Sequence, residues 1–280
     1  MPKISAMHSV ISGHGLVHPA ENTEELIHGL SFPEIFEGKN CCDAAAILSD
    51  LFPRPSLRGL PAYVRIALLA AVRALKDAGW WPCPETIPIV IGTAYSCQKT
   101  SFDFMDSILD FGPKLASPLA FSHAVNNMAA GLLCLMLKSK GTCTTVNNGQ
   151  LSFAGALQTA LILLDSGKAD TVLVGAVDEY DPRFSALFPH KKLVPSSAFF
   201  CLQKGETGLA VNVDWHDAVG ANAFFELEGR KVVACSASAE NSMFQALACA
   251  SVCDGNYLNA LIEQTASEYG IAATIYLERR

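Results

Sequence analysis

The sequence predicts an α/β fold, a mixed sheet with buried helices, and three stretches carry that prediction. Residues 142–178, TCTTVNNGQLSFAGALQTALILLDSGKADTVLVGAVD, read as strand, tight turn, apolar helix, strand, which is the pattern of a parallel crossover. Residues 87–95, IPIVIGTAY, form an apolar run without alternation, as in a strand covered on both faces. Residues 62–78 are apolar almost all round a helix and close on Gly79, so that helix belongs inside.

Taken from the N-terminus, HSVIS (8–12) is a short strand ending at Gly13-His14-Gly15. A third glycine is missing, so the turn is no dinucleotide fingerprint. His14 and His18 read as loop histidines, with no acid or cysteine close by in sequence to make a metal site. Residues 23–30 form a short helix with Glu24 and Glu25 in its first turn, where the helix dipole favours them. Residues 31–61 are broken by Pro33, Pro53, Pro55 and Pro61 and read as loop, with one helical turn near 44–51.

After the helix at 62–78 and the strand at 87–95 comes SFDFMDSILDF (101–111), an amphipathic helix. Phe104, Ile108 and Phe111 share one stripe, widened by Met105 and Leu109. That stripe either covers the core or places bulky side chains in a neighbour's cavity. The next helix runs from residue 126 or 127 to before Gly141 and opens on Ala129, Ala130 and Gly131, small enough for close backbone approach. His123, just ahead of it, has no evident acid partner.

The central unit is a strand at 142–146, a turn at Asn147–Gln150, a helix at 151–165 ended by Gly167, and a strand at 171–177. A strand-to-helix turn is where many α/β enzymes expose a nucleophile. Here the residue at the tip, Gln150, is an amide. Asp178 and Glu179 suggest paired acid/base carboxylates, but sequence neighbours point apart, and a solvated loop is the preferred reading. Further on, 196–215 read as a hairpin about 204–208, 223–228 and 231–237 as strands, 256–270 as a helix, and 273–278 as a final strand.

Half of the 280 residues are hydrophobic and 17% are charged. With a mean hydropathy of +0.27, some apolar surface is expected to be covered by a partner. No apolar run reaches the roughly 18 residues of a membrane span, and no secretion-type apolar region opens the chain, so a cytoplasmic protein is expected. Ten cysteines include no Cys-x-x-Cys pair; Cys97, Cys134, Cys143, Cys201 and Cys249 sit in apolar stretches and read as reduced core residues. No metal or cofactor site is predicted. A net charge of −7, with basic runs no longer than Lys191–Lys192 and Arg279–Arg280, argues against nucleic acid and anionic membrane as partners.

Several stretches together resemble the β-ketoacyl-acyl-carrier-protein synthases, of the thiolase fold. ISGHGLVHP is similar to that family's opening TGxGxxxP turn, and RIALLAAVRALKDAGW with IPIVIGTAY to its central helix and next strand. NNMAAGLLCLMLKSKGTCTTV resembles the segment leading to the nucleophile, and GALQTALILLDSGKADTVLVGAVDE the segment beyond it. The resemblance covers residues 8–180 and, more loosely, extends to 212. It implies a thiolase-like fold with a shortened second half: residues 1–210 as the synthase N-terminal-like half, and 211–280 as a reduced C-terminal half packed on the same domain.

Two departures alter what the resemblance implies. The family's catalytic cysteine falls on Gln150, which cannot form a thioester. The NTHGT-like and NxFGFGG segments do not occur, and beyond Gln150 the histidines are His190 and His216. The chain therefore is most similar to chain length factors, the noncatalytic partners of active synthases, in particular those of aryl polyene clusters. The resemblance implies a heterodimer with an active β-ketoacyl-ACP synthase, or a higher-order assembly of it, in which acyl carrier protein is reached through the partner. It implies antiparallel pairing of Thr142, Cys143, Thr144, Thr145 and Val146 with their counterparts across a pseudo-twofold. It also implies a helix placing Phe104, Met105, Ile108 and Phe111 where the growing chain stops. The Gln150 amide is expected to satisfy backbone groups at the helix start. The alternatives are a malonyl-ACP decarboxylase or other synthase-type acyltransferase, which needs histidines not found here, and a homodimeric acyl-binding scaffold.

Overall fold

One sheet runs through the whole chain, and its carboxyl-end turns position the site. The computed structural model describes residues 8–32, 36, 39, 41–188, 195–218, 222–235, 241–255, 257–266 and 269–280. His190, Lys191, Lys192, the last two residues of the strand predicted at 231–237, and parts of 31–61 lie outside these. The strands are β1 (Ser9–Val17), β2 (Ile89–Gly92), β3 (Cys143–Val146), β4 (Thr171–Asp178), β5 (Ser196–Lys204), β6 (Leu209–Asp217), β7 (Ala223–Leu227), β8 (Arg230–Cys235), β9 (Asn259–Ala266) and β10 (Ile271–Arg279). They form a 10-stranded sheet in the order β3-β2-β4-β5-β1-β6-β10-β9-β7-β8. β2 is parallel to both β3 and β4, and the other pairings are antiparallel, which makes the sheet mixed.

The helices are α1 (Thr23–Ser31), α2 (Ala44–Leu48), α3 (Arg54–Arg58), α4 (Ala62–Asp77), α5 (Gln98–Phe111), α6 (Pro118–His123), α7 (Met128–Leu137), α8 (Ser152–Asp165), α9 (Pro182–Leu187) and α10 (Phe244–Asp254). The central strands are covered on both faces. Val172 and Val174 of β4 join a core with α8 and α10, whereas Leu173 and Val177 join another with α4 and α7. This double burial is why β2 and β4 read as continuous apolar runs. Burying a side chain such as Leu173 contributes roughly 1.5–3 kcal/mol.

Four expectations are corrected. β1 does not stop at residue 12 but passes through Gly13 and Gly15, where a Cβ would overlap the backbone of Ala78 and Ala70 respectively. These glycines let α4 press onto the strand, and they are not a turn. Residues 196–215 hold two strands but no hairpin, because β1 lies between β5 and β6. Residues 259–266 are strand β9, where the helix 256–270 was expected; buried Ala260, Ile262 and Gln264 alternate with less buried Leu261 and Glu263. Their Ala, Leu, Glu and Gln content favours helix, and tertiary pairing overrides it. The real helix, α10, is buried along almost its whole length and so shows no amphipathic period. Finally, Cys143 is exposed rather than in the core.

His14 is likewise no loop residue. Its Nε2 lies 2.8 Å from Asp254 Oδ1 and its Nδ1 3.3 Å from Asp77 Oδ2, tying β1 to the ends of α10 and α4. Burial opposes its charge, but the two carboxylates outweigh burial and the pKa is raised. The cluster therefore contributes most below the unfolded value of about 6.5, and its contribution is lost as pH rises through the raised folded value. His14→Gln is expected to cost about 1 kcal/mol or more at low pH and less at high pH. Urea unfolding at pH 6 and pH 8.5 checks this; equal losses at both pH values would show that the charge plays no part.

Candidate functional site

The turns that leave β2, β3 and β4 converge at the carboxyl ends of these parallel strands, the usual place for a site in an α/β sheet. The turn after β3 is built as the sequence predicts. Gly149 takes a positive φ of 55°, and Ser152, the first residue of α8, closes the loop. Its Oγ donates to Gly149 O at 2.6 Å and accepts from Asn148 N at 2.9 Å. Asn147 Nδ2 donates to Ala94 O at 3.2 Å, which binds this turn to the one after β2. Gly155 leaves room for Val146 and Asn148, since a Cβ there would crowd both. Gln150 sits at the tip and is 5% exposed, so the amide is buried within the turn.

Beside the turn lies a cavity of about 390 Å³, lined by Asn147, Asn148 and Leu151 on one side and by Trp215, Ala266 and Tyr269 on the other. Among the described residues its walls are amides, apolar groups and aromatic rings, none of which is a nucleophile or a general base at neutral pH. His216, on β6 next to Trp215, is bound elsewhere: its Nε2 is 2.9 Å from Thr274 Oγ1 and 3.6 Å from Glu263 Oε2. His123 ends α6, and His190 is outside the described residues.

Asp178 and Glu179 are not a solvated loop but buried at 2% and 8% exposure, a correction with a clear physical cause. The Asp178 carboxylate accepts from Thr93 Oγ1 at 2.7 Å and from the N–H groups of Ala94, Tyr95 and Ser96 at 3.1, 3.0 and 3.3 Å. It thereby holds the turn after β2. Burial pushes its pKa up against those donors, which favour the ionised form. Glu179 Oε2 accepts from Lys99 N at 2.9 Å, and burial pushes its carboxyl up to about 7. The two carboxylates do face different ways, as adjacent residues should, but each finds backbone donors there instead of water.

Sequence reasoning missed Arg183. Its guanidinium reaches Asp181, Asp103 and Asp106 at 2.7–2.9 Å. The local signal was Asp181-Pro182, an N-cap followed by proline at the first helical position.

The predicted tunnel residues all lie on α5, of which only Gln98 is buried. Phe104 is half-buried against the Phe121 ring, 5.6 Å between centroids, and Ile108 is half-buried as well. Met105 and Phe111 are exposed at 52% and 67%, and Leu109, Leu115, Leu119, Phe121 and Leu135 are exposed with them. Thr142 to Val146 lie at the sheet's edge, where β3 pairs only with β2 among the described strands.

The site is thus a strand-turn-helix unit in a mixed sheet, with the buried amide of Gln150 at its turn. The chain belongs to the β-ketoacyl synthase family: the sequence model described as "Beta-ketoacyl synthase, N-terminal domain" matches residues 96–256. That match runs past residue 212, where the resemblance in the sequence fades. A curated relative, 3-oxoacyl-[acyl-carrier-protein] synthase 2 of Rhizobium meliloti (strain 1021), is 27% identical over 125 residues. The match covers 43% of this chain and spans 30% of that relative.

Among solved structures, the ketosynthase ApeO in complex with its chain length factor ApeC from Xenorhabdus doucetiae superposes with a TM-score of 0.69 at 16% identity, covering 98% of this chain and 100% of that one. The ishigamide ketosynthase/chain length factor gives a TM-score of 0.69 at 18% identity, over 97% and 99% of the two chains. A β-ketoacyl synthase from Burkholderia phymatum STM815 gives 0.61 at 14% identity, over 98% and 100%. The likeness at these identities is one of fold, and the fold is the thiolase-like one expected. Among the described residues no helix is long and apolar enough to cross a membrane.

Proposed function

We propose that this chain is a chain length factor, a noncatalytic subunit that pairs with an active β-ketoacyl-ACP synthase to complete and limit its acyl tunnel. The observation that carries this reading is the turn after β3: its hydrogen bonds are intact, and its tip is a buried amide, Gln150. A turn kept in order without a nucleophile serves position rather than chemistry. Residues 1–210 act as the synthase-like half and 211–280 as a reduced half. Acyl carrier protein is met by the partner, and the product is a polyene, of the aryl polyene class. The open edge of β3 and the exposed apolar side chains of α5, α6 and α7 support the partner claim, since large exposed apolar patches mark interaction surfaces.

The test is co-expression with an active ketosynthase from a polyene system. A stable complex that elongates acyl chains only when both subunits are present is the expected result. Turnover of malonyl-ACP by this chain alone would sink the noncatalytic reading in favour of a decarboxylase.

Within that complex, Phe104→Ala and Ile108→Ala are each expected to shift products toward longer chains by at least one extension unit, read by mass spectrometry of the released acyl groups. An unaltered distribution would assign both side chains to the contact with α6 alone.

A further inference from the structure

Helix α5 carries the stripe assigned to the tunnel, yet it has little hold on the core. Only Gln98 of it is buried, and its main packing partners among the described elements are α6 and the 3-10 turn at Pro113–Leu115. A helix with so few buried contacts takes its position from whatever else grips it. The grip is polar, and it comes from one segment, Glu179 to Arg183, immediately after β4.

Two contacts define it. Cys97, the N-cap residue of α5, makes no side-chain cap bond. Glu179 takes over that task from outside the helix, accepting from Lys99 N in the first turn at 2.9 Å. One turn on, Arg183 donates from Nη2 to Asp103 Oδ1 at 2.8 Å and from Nη1 to Asp106 Oδ2 at 2.7 Å. The same guanidinium is fixed from behind, with Nε and Nη2 donating to Asp181 at 2.9 and 2.8 Å. Asp181 is in turn the N-cap of α9, and its side chain is only 5% exposed. The Phe102 ring covers the guanidinium at 5.0 Å. Asp103 and Asp106 are three apart and share a helix face, so one planar fork meets both. A single exposed ion pair would add little. A fork bonded to three carboxylates sets an orientation as well as a distance.

We propose that Arg183 is a positioning residue for chain length, fixing α5 against the end of β4 so that Phe104 and Ile108 stand at a set depth in the tunnel. This rests on the reading of the chain as a chain length factor. The test uses the complex with an active synthase and the variants Arg183→Gln, Arg183→Lys and Asp103→Asn/Asp106→Asn. Hydrogen exchange of α5 amides and the product distribution are read together. Arg183→Gln and the double variant are expected to raise exchange across residues 102–111 at least tenfold and to broaden products toward longer chains, with the complex retained. Arg183→Lys, which keeps the charge without the fork, is expected to fall between. A retained complex in which Arg183→Gln leaves products and exchange as in the parent overturns the inference alone, most plainly where Phe104→Ala shifts the products. If the parent chain retains no synthase, the chain length reading falls, and the inference with it.

Discussion

Replacing Thr145 by proline is expected to abolish pairing with the ketosynthase while leaving the isolated subunit folded. The reason lies in the direction of the β3 hydrogen bonds. Ile89 N donates to Thr142 O at 2.8 Å and Thr93 N to Val146 O at 3.0 Å. In a parallel pair such bonds fall on alternate residues of one strand, so Thr142, Thr144 and Val146 face β2, and Cys143 and Thr145 turn their backbone groups outward. Proline at 145 keeps the inner ladder and removes an outward N–H, and its ring obstructs any strand that approaches. A loss of ~3 kcal/mol corresponds to an affinity about 100-fold weaker, enough to lose the complex on a column. Co-purification of Thr145→Pro beside Thr145→Val is the measurement, with circular dichroism of the free subunit as the control for folding. Undiminished retention of the proline variant would mean that the partner docks elsewhere.

Asp178→Ala should have the largest effect on stability. The substitution removes the carboxylate that four donors share, Thr93 Oγ1 and the N–H groups of Ala94, Tyr95 and Ser96, of which Ser96 N keeps Thr93 Oγ1 as a second acceptor at 2.9 Å. Buried donors left unmatched cost about 1–3 kcal/mol each when no water replaces the acceptor, and partial relaxation brings the expected loss to about 3–5 kcal/mol. That is a large fraction of the roughly 5–15 kcal/mol that holds a typical domain together. The turn after β2 would loosen with it, and through the Asn147 contact to Ala94 the turn bearing Gln150 would follow. Urea unfolding monitored by tryptophan fluorescence measures the loss. A change below about 1 kcal/mol would indicate that solvent reaches the site and substitutes for the carboxylate.

The parts of the fold that were legible in the sequence are those whose local pattern and tertiary fate agree. β2, α4, β3, α8 and β4 fall where apolar runs, Gly79 and Gly167 place them, because each is buried on the faces its pattern implies. Pairing was less legible. The strands at 196–204 and 209–217 are close in sequence, yet β1 separates them, and nothing local encodes that insertion. The same holds for Gly13 and Gly15, whose small size answers to α4, some sixty residues away in the chain. At the site, the amide at the tip was visible from motif spacing alone. The roles of Asp178, Glu179 and Arg183 were not, since each depends on a partner on α5 or the β2 turn that only the fold brings near.

The open edge of β3 also bears on supply. Among the described strands β3 has one unpaired edge, and such an edge is a template for unwanted β pairing, including pairing between two copies of the same chain. If the chain is a chain length factor, copies made in excess of a synthase partner would therefore aggregate or fall to proteases, and the steady amount of the subunit would follow the supply of that partner rather than its own rate of synthesis.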